Sequence, residues 1–220
     1  MDWRIVVGLV VSYLIGSFSS ALWLGKWMKG KDIRKYGSGN AGFANAIRVF
    51  GPIVGIPVLI IDAGKGYLAV LLVLLLPETV IVPENEIFWE IFFGLSAMIG
   101  HIFPAYSHFR GGKAVATGLG VVLAIYPIGA LLSLFVFLIV LLMTRYVSLS
   151  SISGGLSFSV WVIWLYPERS LTLTVFSLSV AGLLLITHNQ NIGRLLRGKE
   201  RKAFLNRKKH LSELQENQSE

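Results

Sequence analysis

Three short polar segments carry the residue types that could do chemistry: GSGNAGFANAIRVFG at 37–51, GHIFPAYSHFRGGKAVATGLG at 100–120 and HNQNIGRLLRGKERK at 188–202. In the first, Gly37, Gly39, Gly42 and Gly51 allow tight turns and close approach to a ligand, while Ser38, Asn40 and Asn45 offer donors and acceptors. Arg48 adds a planar fork suited to a pair of phosphoryl oxygens. In the second, Arg110-Gly111-Gly112-Lys113 reads as an anion nest. Two glycines there would free backbone N–H groups beside two cations, at a helix entrance whose dipole also favours negative charge. Two adjacent glycines before such a lysine suggest a ligand rather than packing, and His101 and His108 flank them. The spacing is not that of a P-loop, so nucleotide hydrolysis is not implied. In the third, helical spacing puts His188 and Asn191 on one face, one turn from Arg194. Taken singly, each segment has a plainer reading as an interfacial loop, a satisfied imidazole or a membrane-boundary anchor. Taken together they describe one phosphate-handling site.

The elements that must position these residues are membrane spans. With 54% hydrophobic and 15% charged residues and a mean hydropathy of +0.68, the chain reads as an all-α, polytopic integral membrane bundle rather than a water-soluble globule. No cysteine is present, which removes disulfides, thiolate metal sites and a cysteine nucleophile. The N-terminus lacks a cationic leader pattern, so the first apolar run is read as a retained span. About seven spans are expected, over residues 5–24, 66–82, 87–106, 115–126, 128–144, 150–166 and 171–187. Tyr126-Pro127 divides the fourth from the fifth. Asp62 and Lys65 interrupt the second region, which is either one span with a buried ion pair or, the preferred reading because charge at the bilayer centre is expensive, a half-membrane dip over 52–61 followed by the span proper. The pair itself reads as a structural ion pair.

Charge orients the bundle. Lys26, Lys29, Lys31, Arg34, Lys35, Arg48, Arg110, Lys113, Arg145 and the eight basic residues from Arg194 to Lys209 fall on one side, which is 17 of the chain's 20 Lys and Arg. The opposite connections carry Glu78, Glu84, Glu86 and Glu168, with Arg169 the one base. The positive-inside bias makes the first side cytoplasmic, with the N-terminus outside, the C-terminus inside and all three motifs facing the cytoplasm. Topology and attraction to anionic lipid account for the net charge of +8 without nucleic acid.

GSGNAGFANAIR, FPAYSHFRGGKAVATG and HNQNIGRLLRGKE, in that order between spans, closely resemble the PlsY family of bacterial membrane acyltransferases, over nearly the whole chain to about Lys202. The resemblance implies transfer of a fatty acyl group from acyl phosphate to the 1-hydroxyl of sn-glycerol 3-phosphate, giving lysophosphatidic acid and phosphate at the cytoplasmic face of the bacterial inner membrane. It allows a soluble acyl-phosphate synthase as a partner on the cytoplasmic loops. Four departures stand out: Ala44, Arg110, Ala114 and Thr187 occupy positions where the family usually has Thr, Lys, Gly and Arg.

The residue types suit that chemistry. Acyl phosphate is already activated, so the protein has to neutralise the leaving phosphate, hold the hydroxyl in line and steady an oxyanion. Arg48 and Lys113, with Arg194 as a weaker third, are assigned to phosphate, supported by Gly37, Gly39, Asn45, Gly111 and Gly112. Ser38 and Asn40 position the acyl phosphate or the oxyanion. His188 acts as acid/base or orients the substrate beside Asn191, with a phosphate oxygen of the donor as the alternative base. His101, Ser148 and Ser150 are further candidates within reach. No metal or cofactor is expected, since the only aspartates are Asp2, Asp32 and Asp62 and no histidine begins an H-x4-D pattern. A transporter for an organic phosphate is the rival reading. It would place its binding groups near the midplane on paired repeats, and no internal repeat is visible. Residues 1–205 are read as one transmembrane domain and 206–220 as a polar cytoplasmic tail.

Overall fold

A computed structural model of the chain describes residues 2–77, 79–82, 85–166 and 170–203. Glu78, Glu84, Glu168, Arg169 and the tail at 206–220, on which part of the charge and domain reading rests, lie outside the described residues. Within them the chain forms ten α-helices and no strand.

Helix α1 (Trp3–Ser17) opens on Asp2, whose Oδ1 accepts the Arg4 N–H at 2.8 Å. The expected continuous first span is broken, because Phe18 and Ser19 leave helical geometry before α2 (Ser20–Lys29) resumes. Helix α2 stops at Gly30, where φ is +62° and the N–H groups of Gly30 and Lys31 fold back on the carbonyls of Lys26 and Gly25. After α3 (Phe43–Phe50) comes a correction to the sequence reading. The half-membrane dip over 52–61 is absent. A single helix, α4 (Pro52–Leu71), starts with Pro52 in its first turn and continues as a 3-10 turn to Leu75. The charges that argued for a dip are paired inside the bundle, as the alternative of one span with a buried ion pair required.

Then follow α5 (Glu86–Ile102), α6 (Val115–Ile125), α7 (Pro127–Thr144), α8 (Val147–Leu165), α9 (Leu171–Thr187) and α10 (Asn189–Leu196). The break between α6 and α7 falls at Tyr126-Pro127, as expected, since a residue before proline is pushed out of the helical region; Tyr126 has φ −141° and ψ 80°. Among the described residues five stretches are long and apolar enough to cross a membrane, and a sixth is counted if α9 and α10, bent by 63° at His188, form one span. Helix α6 is too short for that: 11 residues rise about 16 Å, roughly half of a hydrocarbon core.

Helix α1 packs on α5, α4 on α6 and α7 on α8. Small residues set the first two contacts. A methyl group on Gly16 or Gly100 would overlap the backbone of the partner helix at Ala97 or Tyr13, and one on Gly66 or Gly120 would overlap the carbonyls of Thr117 or Ala63. Phe93, Met98, Phe158 and Leu173 fill the interior, whereas Leu142, Met143 and Trp164 stand almost wholly exposed, as lipid-facing side chains should.

Asp62 and Lys65, one turn apart on α4, meet at 2.9 Å and are 1% and 5% exposed. Ser20 Oγ donates to Asp62 Oδ1 at 2.8 Å, and Lys65 Nζ donates at 2.9 Å to the Phe18 carbonyl, which is freed by the helix break. Removing one partner of such a pair leaves a buried charge alone. Lys65→Met is therefore expected to lower stability by about 3–5 kcal/mol, read from unfolding in detergent micelles, while Asp62→Asn added to the same chain should recover most of the loss.

Candidate functional site

The first motif is a loop built around Asn45. Its side chain, 1% exposed, accepts the Ser38 N–H at 2.9 Å and donates to the carbonyls of Tyr36 and Asn40, both at 3.0 Å. This corrects the reading of Asn45 as a phosphate ligand: its hydrogen-bonding capacity is committed to folding the loop. Gly37 and Gly39 have φ of +62° and +75°, so their contribution is conformational. They lift Ser38 to the exposed crest. No described residue hydrogen-bonds the Ser38 hydroxyl or the Arg48 guanidinium, and both border the same cavity.

The second motif also departs from expectation. The N–H groups of Gly111 and Gly112 do not form an anion nest; they donate to the carbonyls of Ile102 and His101 at 3.2 and 3.1 Å, closing the end of α5. The glycines are there for packing after all, because a methyl group on Gly111 would overlap the His101 carbonyl and one on Gly112 the His101 ring. Gly112 does not line the cavity, and His108 stands away from it. The residues with left-handed backbone here are His108, Phe109 and Ala114. At Ala114, φ is +56°, which explains why glycine suits that position and why alanine is strained there by about 1–2 kcal/mol. This strained residue turns the chain directly into α6, and Lys113 immediately precedes it.

Lys113 Nζ donates to Asn191 Oδ1, and Asn191 Nδ2 donates at 2.6 Å to Glu200 Oε1. Glu200 also accepts from Ser148 Oγ at 2.8 Å and from Arg194 Nε at 2.8 Å. One carboxylate thus ties the start of α8, helix α10 and, through Asn191, the lysine before α6. Asn191, expected among the reacting groups, is a strut between Lys113 and Glu200. Sequence reasoning gave Glu200 no role; the one available signal was a lone acid inside the basic run RLLRGKERK. Arg201, also unassigned, lines the cavity. Ser148 is brought to the site, but Ser150 is corrected: its hydroxyl donates to the Tyr146 carbonyl and it does not border the cavity.

His188, 3% exposed, sits at the bend between α9 and α10. Its Nδ1 lies 2.9 Å from the Leu184 carbonyl, which can only accept, so Nδ1 carries the proton and Nε2 of the neutral ring is an acceptor. His101 also borders the cavity, with Nδ1 2.8 Å from Lys65 Nζ.

These groups share a cavity of about 670 Å³. Ser38, Arg48, Lys113, Ser148, His188 and Arg194 come from helix ends and the loops beside them, whereas Val122, Phe137, Phe158 and Val180 line it from several turns within α6, α7, α8 and α9. The cavity is therefore polar and cationic at one end and apolar along its length. Burial holds Arg48 below the ordinary range for arginine, with Arg201 and Arg194 adding to the effect and Glu200 opposing it. Burial likewise brings Lys113 down to about 8; Glu200 opposes the shift and Arg194 reinforces it. A lysine with that value loses its positive charge as pH rises through 8. The affinity for inorganic phosphate, measured by isothermal titration in detergent, is expected to weaken about 10-fold from pH 7 to pH 9. In Lys113→Arg, where the cation persists, the change should be less than about 3-fold.

Comparison with known proteins identifies the family. Residues 6–198 match the family described as Glycerol-3-phosphate acyltransferase. Over 197 residues the chain is 44% identical to glycerol-3-phosphate acyltransferase 2 of Bacillus anthracis, covering 90% of this chain and 98% of that protein. It is 42% identical over 199 residues to glycerol-3-phosphate acyltransferase of Staphylococcus aureus (strain JH9), covering 90% and 97%. Two crystal structures of PlsY, an integral membrane glycerol 3-phosphate acyltransferase, superpose on it. The glycerol 3-phosphate form gives a TM-score of 0.80 at 33% identity, covering 90% of this chain and 95% of that one. The lysophosphatidic acid form gives 0.77 at 31%, covering 90% and 94%. The chain belongs to the glycerol-3-phosphate acyltransferase family.

Proposed function

We propose that this chain is a bacterial multi-pass membrane acyltransferase that moves a fatty acyl group from acyl phosphate to the 1-hydroxyl of sn-glycerol 3-phosphate. The observation that carries the reading is the cavity, in which unpaired cationic and hydroxyl groups at one end continue into an apolar slot among α6–α9. Both substrates bear phosphate and one also bears a long chain, so a single amphipathic cavity meets both requirements. Relatives named for glycerol 3-phosphate, and a neighbour solved with lysophosphatidic acid, support the acceptor and the product.

In the reaction the hydroxyl oxygen of glycerol 3-phosphate bonds to the acyl carbon, and the bond from that carbon to the phosphate oxygen breaks with its electron pair on phosphate. The hydroxyl proton passes to His188 Nε2 and from there to the departing phosphate. Arg48 and Lys113, with the remaining N–H groups of Arg194, hold the phosphoryl groups and neutralise the charge that grows on the leaving one. The Ser38 hydroxyl and the Asn40 amide donate to the oxyanion. The binding groups gather at helix ends rather than near the midplane, which favours an interfacial enzyme over a carrier. The positive-inside bias puts that end in the cytoplasm, where a soluble acyl-phosphate synthase would have access to it; the tail at 206–220 takes no chemical part.

Purified chain in detergent, given palmitoyl phosphate and glycerol 3-phosphate, should release lysophosphatidic acid and phosphate in equal amounts. Equal turnover with acyl-CoA, or loss of activity in EDTA, would defeat the assignment of donor and mechanism. Ser38→Ala and His188→Ala should lower kcat most, by about 100-fold each, whereas Arg48→Ala should also raise KM. The topology has its own check. Cysteines placed at exposed Arg110 and Gln190 should react with an impermeant thiol reagent only from the cytoplasmic side, and one at Glu86 only from outside; the chain has no cysteine of its own to confuse the result.

A further inference from the structure

The buried Asp62–Lys65 pair has no part in the chemistry above, yet it ends beside the loop that carries Lys113. We propose that His101, held by Lys65, is a positioning residue that sets the placement of Lys113. The proposal rests on the reading of Lys113 as a phosphate-binding cation.

An ammonium group has three N–H donors and no acceptor. Lys65 Nζ has three acceptors: Asp62 Oδ1 at 2.9 Å, the Phe18 carbonyl at 2.9 Å and His101 Nδ1 at 2.8 Å. The third contact forces Nδ1 to accept, so the neutral ring carries its proton on Nε2 and its rotation is fixed. The Nε2 end of the ring faces Gly112. A methyl group built on Gly112 would strike Nε2 first and would lie almost equally far, 3.0 and 3.1 Å, from the two flanking ring carbons, so the ring points end-on at the Gly112 Cα. The backbone of the same residue holds the loop from the other side, since the His101 carbonyl accepts the Gly112 N–H at 3.1 Å.

One histidine therefore fixes the residue before Lys113 through both its main chain and its ring. The ring is fixed in turn by a lysine anchored to the break between α1 and α2. Backbone hydrogen bonds alone would leave the loop free to settle toward the space the ring occupies. A displacement of about 1 Å at a substrate-binding group is enough to cost up to about 100-fold in catalysis.

The test uses the full-length chain in detergent with saturating palmitoyl phosphate and varied glycerol 3-phosphate. His101→Asn retains an oxygen near the place of Nδ1 for Lys65 and removes the end of the ring that touches Gly112. KM for glycerol 3-phosphate is expected to rise about 10-fold, and kcat to fall with it, because Lys113 is also assigned to the leaving phosphate. In a Lys113→Ala background the same substitution should leave the dissociation constant for glycerol 3-phosphate, read by isothermal titration, unchanged, because His101 acts through that lysine. An unchanged KM in His101→Asn, or the same 10-fold loss of affinity in the Lys113→Ala background, would overturn the proposal. A wild-type chain that neither binds glycerol 3-phosphate nor turns over would instead overturn the functional reading beneath it. A measurement that needs no substitution is the 15N NMR signature of His101. A protonated Nε2 with an unprotonated Nδ1 is expected, and either the opposite tautomer or an imidazolium would refute the hydrogen-bond assignment.

Discussion

Four cations, Arg48, Lys113, Arg194 and Arg201, and two carboxylates, Asp62 and Glu200, line one cavity at the edge of an apolar bundle. The rest of the structure depends on how those charges are matched. A site for phosphate has to leave cations unpaired, whereas a low-dielectric surrounding penalises every charge left so. Asp62 is committed to Lys65, which lies outside the cavity lining, so it offsets none of the four. Glu200 bonds directly to Arg194 and, through Asn191, reaches Lys113, which leaves Arg48 without a hydrogen-bonded carboxylate among the described residues. The direction of the shift at Arg48 and the value of about 8 at Lys113 express the same deficit. On the proposed assignment a dianionic phosphoryl group would relieve it, so that substrate binding and charge compensation would be one event.

The same balance explains how three distant segments come to act together. The loop before α3 is folded by Asn45, the loop before α6 by His101 and its neighbour's carbonyl, and the segment after α10 by Glu200. The first two contacts are local, within about a dozen residues, whereas Glu200 reaches Ser148 across 52 positions and so joins the end of the chain to α8.

This is where the sequence was easiest and hardest to read. Spans rest on long apolar runs, and the split at Tyr126-Pro127 follows from local sterics, so both were legible. The charge asymmetry grouped the three motifs correctly at one cavity. What failed was any inference that depended on where a backbone N–H points. The Gly111–Gly112 pair has the composition of an anion nest, but its donors are taken by the end of α5, partners nine and eleven residues away that the motif itself does not reveal. Asn45 failed in the same way, since an amide in a Gly-rich loop serves loop or ligand equally well until its partners are known. The dip preferred over 52–61 came from setting the cost of charge in lipid above the alternative of one span with a buried ion pair; paired one turn apart, Asp62 and Lys65 permit a continuous α4.

The two buried histidines show how much their partners decide. His188 Nδ1 faces a carbonyl and must donate, which turns Nε2 into a lone-pair acceptor able to take a hydroxyl proton. His101 Nδ1 faces an ammonium group and must accept, which puts the proton on Nε2 and leaves no free lone pair for base catalysis. Both rings are neutral imidazoles of the same intrinsic basicity, and they border the same cavity. The difference lies in one backbone oxygen against one lysine nitrogen. It separates the two proposed roles, acid/base chemistry at the bend after α9 and mechanical support under the loop that carries Lys113.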